Sequence, residues 1–367
     1  MNKLLIFGHG YTTKNLTKII TDDFSEIFAT SRKPEKVNDK FINHVIKYED
    51  SGEFLISKKN DLTHILCSIP PDENGDPVYE RFKNDIKDLC SLKWIGYLSA
   101  TSVYGDHNGE FVDENSELKA NTSRGLNRIL AEKQWEEFCT NHNIILKIFR
   151  IAGIYGKGRN IYERIKKGDY KLILKDKQYF SRIHIDDLTH CLKESLKRID
   201  QFEIFNLADD TPSNMQDVVE YICKNVNIKL PDTINYEQLE NEMTKNFFTD
   251  NKKVLNTKIK QKLNFKLKYP SYKEGYNQII NSMTLEHYPG MTESEIEKII
   301  VDSYKRWELT GVTVIHRVGN LKPSDQIVFV GVSSKHRQNA FDGCNFIMDW
   351  LKTKAPFWKA EENNCLL

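Results

Sequence analysis

Apolar and polar positions alternate along the first half of the chain in a strand–helix rhythm. Lys3–Phe7 carries a short unbroken apolar run of the kind a buried strand needs. Tyr11–Ile20 follows, with Leu16, Ile19 and Ile20 on one side of a helical projection. Further strand-like runs fall at Glu26–Ala29, His64–Ser68, Trp94–Ser99 and Ile144–Phe149, the last after a helix through Ile129–Cys139. This alternation predicts an α/β fold with a parallel sheet covered on both faces. From about Gly156 the pattern is less regular, as expected of a small substrate lobe. A polar, Lys- and Asn-rich stretch, residues 241–268, precedes Tyr269-Pro270, and a helical piece runs on to about Ser282.

The pattern changes character after Ser282, so a boundary is expected between residues 282 and 283. Met291–Trp307 reads as an amphipathic helix with Ile296, Ile299, Ile300 and Tyr304 at helical spacing. Val312–Arg317 and Gln326–Val332 read as strands. Ser333-Ser334 is positioned to cap a long helix whose expected buried stripe is Ala340, Phe341, Cys344, Ile347, Met348 and Leu351, ended by Pro356. The second part is therefore a small α+β domain.

Composition narrows the functions available. The chain has 367 residues, with 53 Lys+Arg against 52 Asp+Glu. That balance of +1 lacks the basic excess of a nucleic-acid-coating protein. No apolar run approaches the ~18 residues of a membrane span. The Leu4–Phe7 run is too short for a secretory leader. Seven cysteines, odd in number and without a C-x-x-C, suit reduced thiols in a cytoplasm and no metal site.

Candidate chemistry begins at Gly8-His9-Gly10-Tyr11, between the first strand and the first helix. Glycines there let the backbone approach a pyrophosphate resting on a helix N-terminus. Thr13 stands where G-x-G-x-x-G has its third glycine. Thr30-Ser31-Arg32 closes the second strand without the acidic residue that binds a ribose 2′-hydroxyl. Ser31 and Arg32 suit a 2′-phosphate, or Arg32 is a solvated loop residue; NADP(H) and NAD(H) both stay open. The segments 98–106 (Leu-Ser-Ala-Thr-Ser-Val-Tyr-Gly-Asp), 151–160 (Ile-Ala-Gly-Ile-Tyr-Gly-Lys-Gly-Arg-Asn) and 182–188 (Arg-Ile-His-Ile-Asp-Asp-Leu) complete the set.

Together these motifs, over about residues 1–280, resemble the extended short-chain dehydrogenase/reductase, or NAD-dependent epimerase/dehydratase, family. The resemblance implies a Rossmann-type doubly wound sheet and an NAD(P)-binding site at Gly8, Gly10, Tyr11, Ser31, Arg32 and Ser68. It also implies a Tyr-x-x-x-Lys dyad and a strand-end Ser or Thr. Counting back from Ala131-Glu132, the dyad positions hold Arg124 and Arg128, and the strand-end position holds Ala100, with Thr101 and Ser102 beside it. Arginine cannot act as a proton donor near neutral pH, so the reductase site reads as degenerate. Two guanidiniums one helical turn apart either bind an anion or are simply exposed.

A second series opens with residues 284–291 (Thr-Leu-Glu-His-Tyr-Pro-Gly-Met) and continues through 312–319 (Val-Thr-Val-Ile-His-Arg-Val-Gly) and 328–333 (Val-Phe-Val-Gly-Val-Ser). It ends with Lys335-His336-Arg337 and 351–359 (Leu-Lys-Thr-Lys-Ala-Pro-Phe-Trp-Lys). It resembles the large, catalytic subunit of molybdopterin synthase, without that family's first third and its arginine-bearing loop. The resemblance implies molybdenum cofactor biosynthesis: cyclic pyranopterin monophosphate becomes molybdopterin, with sulfur supplied as a thiocarboxylate on the C-terminal Gly-Gly tail of a small ubiquitin-like partner. It places the catalytic lysines at Lys352 and Lys359 and substrate binding at His336 and Arg337. From spacing alone, lysines near a helix C-terminus need no other explanation than the dipole. A straight helix separates His336 and Arg337 from Lys352 by roughly 23 Å at 1.5 Å per residue, so one chain cannot bring them together. A homodimer through the C-terminal part is expected. The alternative reading is an NADP(H)-binding, epimerase-like protein carrying a degenerate remnant of the synthase.

Overall fold

The computed structural model describes residues 2–198, 200–280, 283–287, 289–321, 326–353 and 357–361. The chain divides into two units, Met1–Tyr276 and Asn277–Leu367.

The larger unit is built on seven parallel strands. Across the sheet they run Glu203–Leu207, Ile145–Ile151, Trp94–Ala100, His64–Cys67, Lys3–Phe7, Glu26–Ser31 and His44–Lys47. Alternate side chains of one strand serve two cores. Leu4 and Ile6 pack with Leu16, Ile20, Leu188 and Leu192 on one face. Leu5 and Phe7 pack with Val78, Phe82, Trp135 and Ile148 on the other. Burial on both faces is why these strands read as unbroken apolar runs rather than alternating ones. The strand order reverses at Lys3–Phe7 and His64–Cys67, and loops at the carboxyl ends of such strands form the ligand crevice of a doubly wound sheet.

The helix Ser123–His142 covers one side of that crevice. Thr122 caps it by accepting from the Gly125 amide at 3.2 Å. A Cβ on Gly125 would lie 2.7 Å from the Ser102 carbonyl oxygen, so glycine is what lets the helix start rest against the turn Thr101–Tyr104. One turn past the arginines, Glu132 is buried; it accepts from Arg150 Nη2 at 2.8 Å and from Ser99 Oγ at 2.5 Å. Arg150 in turn reaches Tyr104 Oη at 3.1 Å. This paired network ties the helix to the ends of two strands.

His64 sets a pH dependence. It is fully buried between the rings of Phe24 and Trp94, at 5.1 and 5.8 Å. Burial lowers its pKa from 6.5 to about 4. Protonation therefore favours the unfolded chain. The stability His64 contributes is fully present above pH 6.5 and is lost as pH falls toward 4, at up to ~1.4 kcal/mol per pH unit. Asp76 and Asp209, pushed by burial up to about 6 and about 8, act in the opposite sense as pH falls. The measurement is thus a difference. Urea denaturation of wild type against His64→Gln should give a gap that shrinks from pH 7 to pH 4, whereas a constant gap would contradict the buried neutral imidazole.

The smaller unit pairs Met283–His287 antiparallel with both Gly319–Leu321 and Phe357–Glu361. Leu309–His316 and Val328–Ser334 form a second, two-stranded antiparallel sheet. Its helices are Met291–Arg306 and Arg337–Thr353. Two expectations are corrected. Phe341, placed in the buried stripe of the second helix, is 65% exposed. The second helix buries only Gly343, Ile347 and Leu351, because a two-stranded sheet covers a narrower strip than the apolar positions offer. His336 precedes this helix rather than lying in its first turn, and Ser334 Oγ accepts from its amide at 3.2 Å. Among the described residues no helix is long and apolar enough to cross a membrane.

Candidate functional site

The Gly8–Tyr11 turn is held by hydroxyls. Gly8 N–H donates to Thr30 Oγ1 at 3.0 Å and His9 N–H to the Thr30 carbonyl at 3.2 Å. Gly10 N–H donates to Thr13 Oγ1 at 2.9 Å, and Thr13 Oγ1 reaches the Gly8 carbonyl at 3.1 Å. Thr13 thus serves as an internal staple where the motif's third glycine would stand. Ser68 Oγ donates to the same carbonyl at 2.9 Å. Gly8 has φ +91°, and a Cβ there would lie 2.9 Å from Ile69 Cγ1. Gly10 differs: nothing lies within 4 Å of its ideal Cβ position. An open cradle at the first turn of Tyr11–Ile20, where the first amides have no helical partner, is what a pyrophosphate requires.

The second strand's end fits the rest of a dinucleotide. Ser31 Oγ accepts from the Lys33 amide at 3.1 Å. Arg32 is exposed and meets no carboxylate among the described residues. Asp39, which the motif search passed over, accepts from His9 Nε2 at 3.0 Å and Thr17 Oγ1 at 3.2 Å. Both its oxygens are engaged, the other by the Phe41 amide, so it braces the loop.

The former dyad positions come together as expected of one helical face. Arg128 Nη1 donates to the Leu98 carbonyl at 2.7 Å, which fixes it against the strand that ends at Ala100. Thr101 opens the turn beyond, and Ser102 Oγ is buried without a partner. Arg124, one turn earlier, is held below its ordinary pKa by desolvation and by Arg128 and Arg159. The buried phenols of this region do not replace the missing tyrosine: Tyr97, which Arg128 acts on, is pushed far up by burial. Tyr104 is buried and donates to Asn206 Oδ1 at 2.7 Å; burial pushes its pKa up to about 12. No phenol–ammonium pair stands here. Arg159 lies within the 151–160 motif, which by itself assigns it no role; its guanidinium lies 5.7 Å from the Tyr11 ring. The signal available was the Gly156-Lys157-Gly158-Arg159 turn itself, which follows a strand.

In the smaller unit the helix Arg337–Thr353 holds His336 and Arg337 at one end and Lys352 at the other. His336 and Arg337 are exposed at the start of Arg337–Thr353, and Lys352 is exposed at its end. Lys359 lies on the strand Phe357–Glu361 in register with Leu285, its side chain outside the described set.

Residues 272–354 match the family model described as MoaE protein. The molybdopterin synthase catalytic subunit of Escherichia coli (strain K12) is 60% identical over 82 residues, 22% of this chain and 55% of the relative. The chain thus spans about half the length of the curated relatives it matches. The larger unit has a different set of relatives. A functionally unknown conserved protein from Silicibacter pomeroyi DSS is 35% identical with a TM-score of 0.69, covering 75% of this chain and 96% of that one. UDP-glucuronic acid 4-epimerase from Bacillus cereus, solved in complex with NAD, superposes with a TM-score of 0.60 at 14% identity, covering 74% of this chain and 95% of that one. At that identity the likeness is one of fold.

Proposed function

Since this chain belongs to the family of the Silicibacter pomeroyi protein and joins to it a MoaE-like region, we propose that it is a two-part protein of molybdenum cofactor biosynthesis. The smaller unit transfers sulfur from a thiocarboxylated small partner to cyclic pyranopterin monophosphate. The observation that carries this reading is the 60% identity to the catalytic subunit over 82 residues, with His336, Arg337 and Lys352 inside the matched segment 272–354. Cations suit this reaction, because the substrate carries a cyclic phosphate and negative charge grows as sulfur adds. His336 and Arg337 hold the phosphate. Lys352 and Lys359 act at the reacting centre and at the partner's tail. Because one helix length separates His336 and Arg337 from Lys352, each site draws on two copies of the chain. The test is molybdopterin formation by the full chain with the thiocarboxylated partner. Product supports the assignment; intact substrate beside a correctly loaded partner refutes it.

The larger unit binds a dinucleotide, a reading supported by the open cradle at Gly10. Gly8, Gly10, Tyr11 and Ser68 shape the pyrophosphate end, with Ser31 and Arg32 at the adenosine ribose. The cofactor would supply hydride chemistry, but Arg124 and Arg128 offer no proton at the positions that would relay one. The free guanidinium of Arg32 favours NADP(H) over NAD(H). Arg32→Ala should weaken NADP+ binding by about tenfold and leave NAD+ binding unchanged, as read by calorimetry. An equal loss for both cofactors would remove Arg32 from the 2′-phosphate.

A further inference from the structure

Three arginines lie within electrostatic reach of one another in the larger unit, Arg128 and Arg159 both acting on Arg124, and none of them forms an ion pair among the described residues. Arg124 and Arg128 project from one face of Ser123–His142. Arg128 is anchored on the Leu98 carbonyl at 2.7 Å, and its Nε is buried with no protein partner. Arg159 comes from a separate element, the turn that follows the strand Gly153–Tyr155. That turn is firmly fastened. Gly156 and Arg159 exchange both backbone hydrogen bonds, at 3.0 and 3.1 Å. Tyr11 Oη donates to the Lys157 carbonyl at 2.9 Å, and the Gly158 amide donates to Glu163 Oε1 at 3.0 Å. Arg159 is thereby held beside the first residue of the dinucleotide-loop helix.

The acidic groups of this neighbourhood make their hydrogen bonds and ion pairs with other partners. Glu163 Oε1 accepts from the Gly158 amide and from Asn160 Nδ2 at 2.8 Å. Asp186 pairs with Lys268 at 3.5 Å and accepts from Tyr269 Oη at 3.3 Å. Asp76 caps the helix Pro77–Lys87 through Oδ1 alone; its buried carboxyl feels Arg128 without a hydrogen bond to it, so it offsets part of that one charge, and among the described residues no carboxylate pairs with Arg124 or Arg159. Among the described residues, none of the three arginines forms an ion pair. Arg124 and Arg159 are exposed and Arg128 half-buried, so solvent screens much of their repulsion and a bound counter-charge removes the rest. Guanidiniums from two elements, one fixed on the Leu98 carbonyl and one beside the Tyr11 ring, present the forked donors that fit an oxyanion.

We propose that Arg124, Arg128 and Arg159 form an oxyanion-binding site, which takes the phosphate or carboxylate of a small molecule seated beside the dinucleotide. The larger unit then recognises an anionic ligand where related folds perform proton relay. This holds whether or not a dinucleotide binds, so its failure is separable from failure of the cofactor reading.

The test uses the full chain and two probes, inorganic phosphate and malonate, by calorimetry and thermal unfolding at constant ionic strength. At least one probe should bind and raise the melting temperature. Arg124→Gln should weaken binding by about tenfold, and Arg124→Gln with Arg159→Gln by about a hundredfold. In anion-free buffer the double variant should melt no lower than wild type, since it relieves repulsion; arginines serving only structure would give a lower melting temperature. A stronger phosphate response assigns a phosphate ester as ligand, and a stronger malonate response assigns a carboxylate. Three results would overturn the site. They are no binding of either probe, unchanged binding by the double variant, or an equal response to chloride. Strict competition with NADP+ would likewise return the arginines to the cofactor's own pyrophosphate.

Discussion

Lys352→Ala together with Lys359→Ala should abolish molybdopterin formation, with a loss on the order of 10³-fold or more, while the chain stays folded. Removing one preorganised cation or donor from a developing oxyanion costs about 10²–10³ in rate, and two lysines act here on one substrate. Stability should move little, within ~0.5 kcal/mol for Lys352, because this side chain is exposed and makes no ion pair among the described residues. Lys352→Arg sorts the roles. If Lys352 only neutralises charge, arginine restores much of the rate; if it gives up a proton, arginine restores none. Wild-type rates in the double alanine variant would end the sulfur-transfer reading.

The same variants test the shared site. Equal amounts of the double lysine variant and Arg337→Ala, unfolded and refolded together, should recover roughly a quarter of wild-type activity, because half the pairs are mixed and each mixed pair rebuilds one of two sites. Each variant alone should stay inactive. Activity that never recovers on mixing would place all the groups within one copy, against the ~23 Å that a straight helix imposes between Arg337 and Lys352.

Much of this was legible before any coordinates. The strands at Lys3–Phe7 and Trp94–Ala100 begin where the apolar runs begin, because burial on both faces leaves no polar alternation to obscure them. Arg124 and Arg128 share a face because a four-residue spacing on a helix guarantees it. Arg159 stands in the 151–160 motif, but its place beside Tyr11 was not legible. It lies 31 residues after Arg128 in sequence, and only the closure of the Gly156–Arg159 turn on Tyr11 brings it there. Asp39 was missed for the same reason: its hydrogen bond to His9 spans 30 residues. Phe341 misled in the opposite direction. Helical spacing identifies which residues share a stripe, but the width of the partner surface decides how many of them are buried.

Gly8 and Gly10 sit two residues apart, and replacing them should have opposite consequences. Gly10 has φ −106°, which any residue adopts, and its ideal Cβ position is open. Gly10→Val should therefore leave the melting temperature nearly unchanged. Its side chain projects into the space a pyrophosphate must enter, so NADP+ affinity should fall on the order of a hundredfold, about 2.7 kcal/mol. Gly8 has φ +91°, where a side chain is strained, and its Cβ would press on Ile69 Cγ1 at 2.9 Å. Gly8→Ala should cost about 1–3 kcal/mol of stability, read by urea denaturation. The bound dinucleotide would restore part of that loss by mass action if the loop still closes. The pair separates cradle from scaffold. Were Gly10→Val to bind NADP+ as wild type does, the open space at Gly10 would not be a phosphate site. Were it to unfold the protein, the space would not be open.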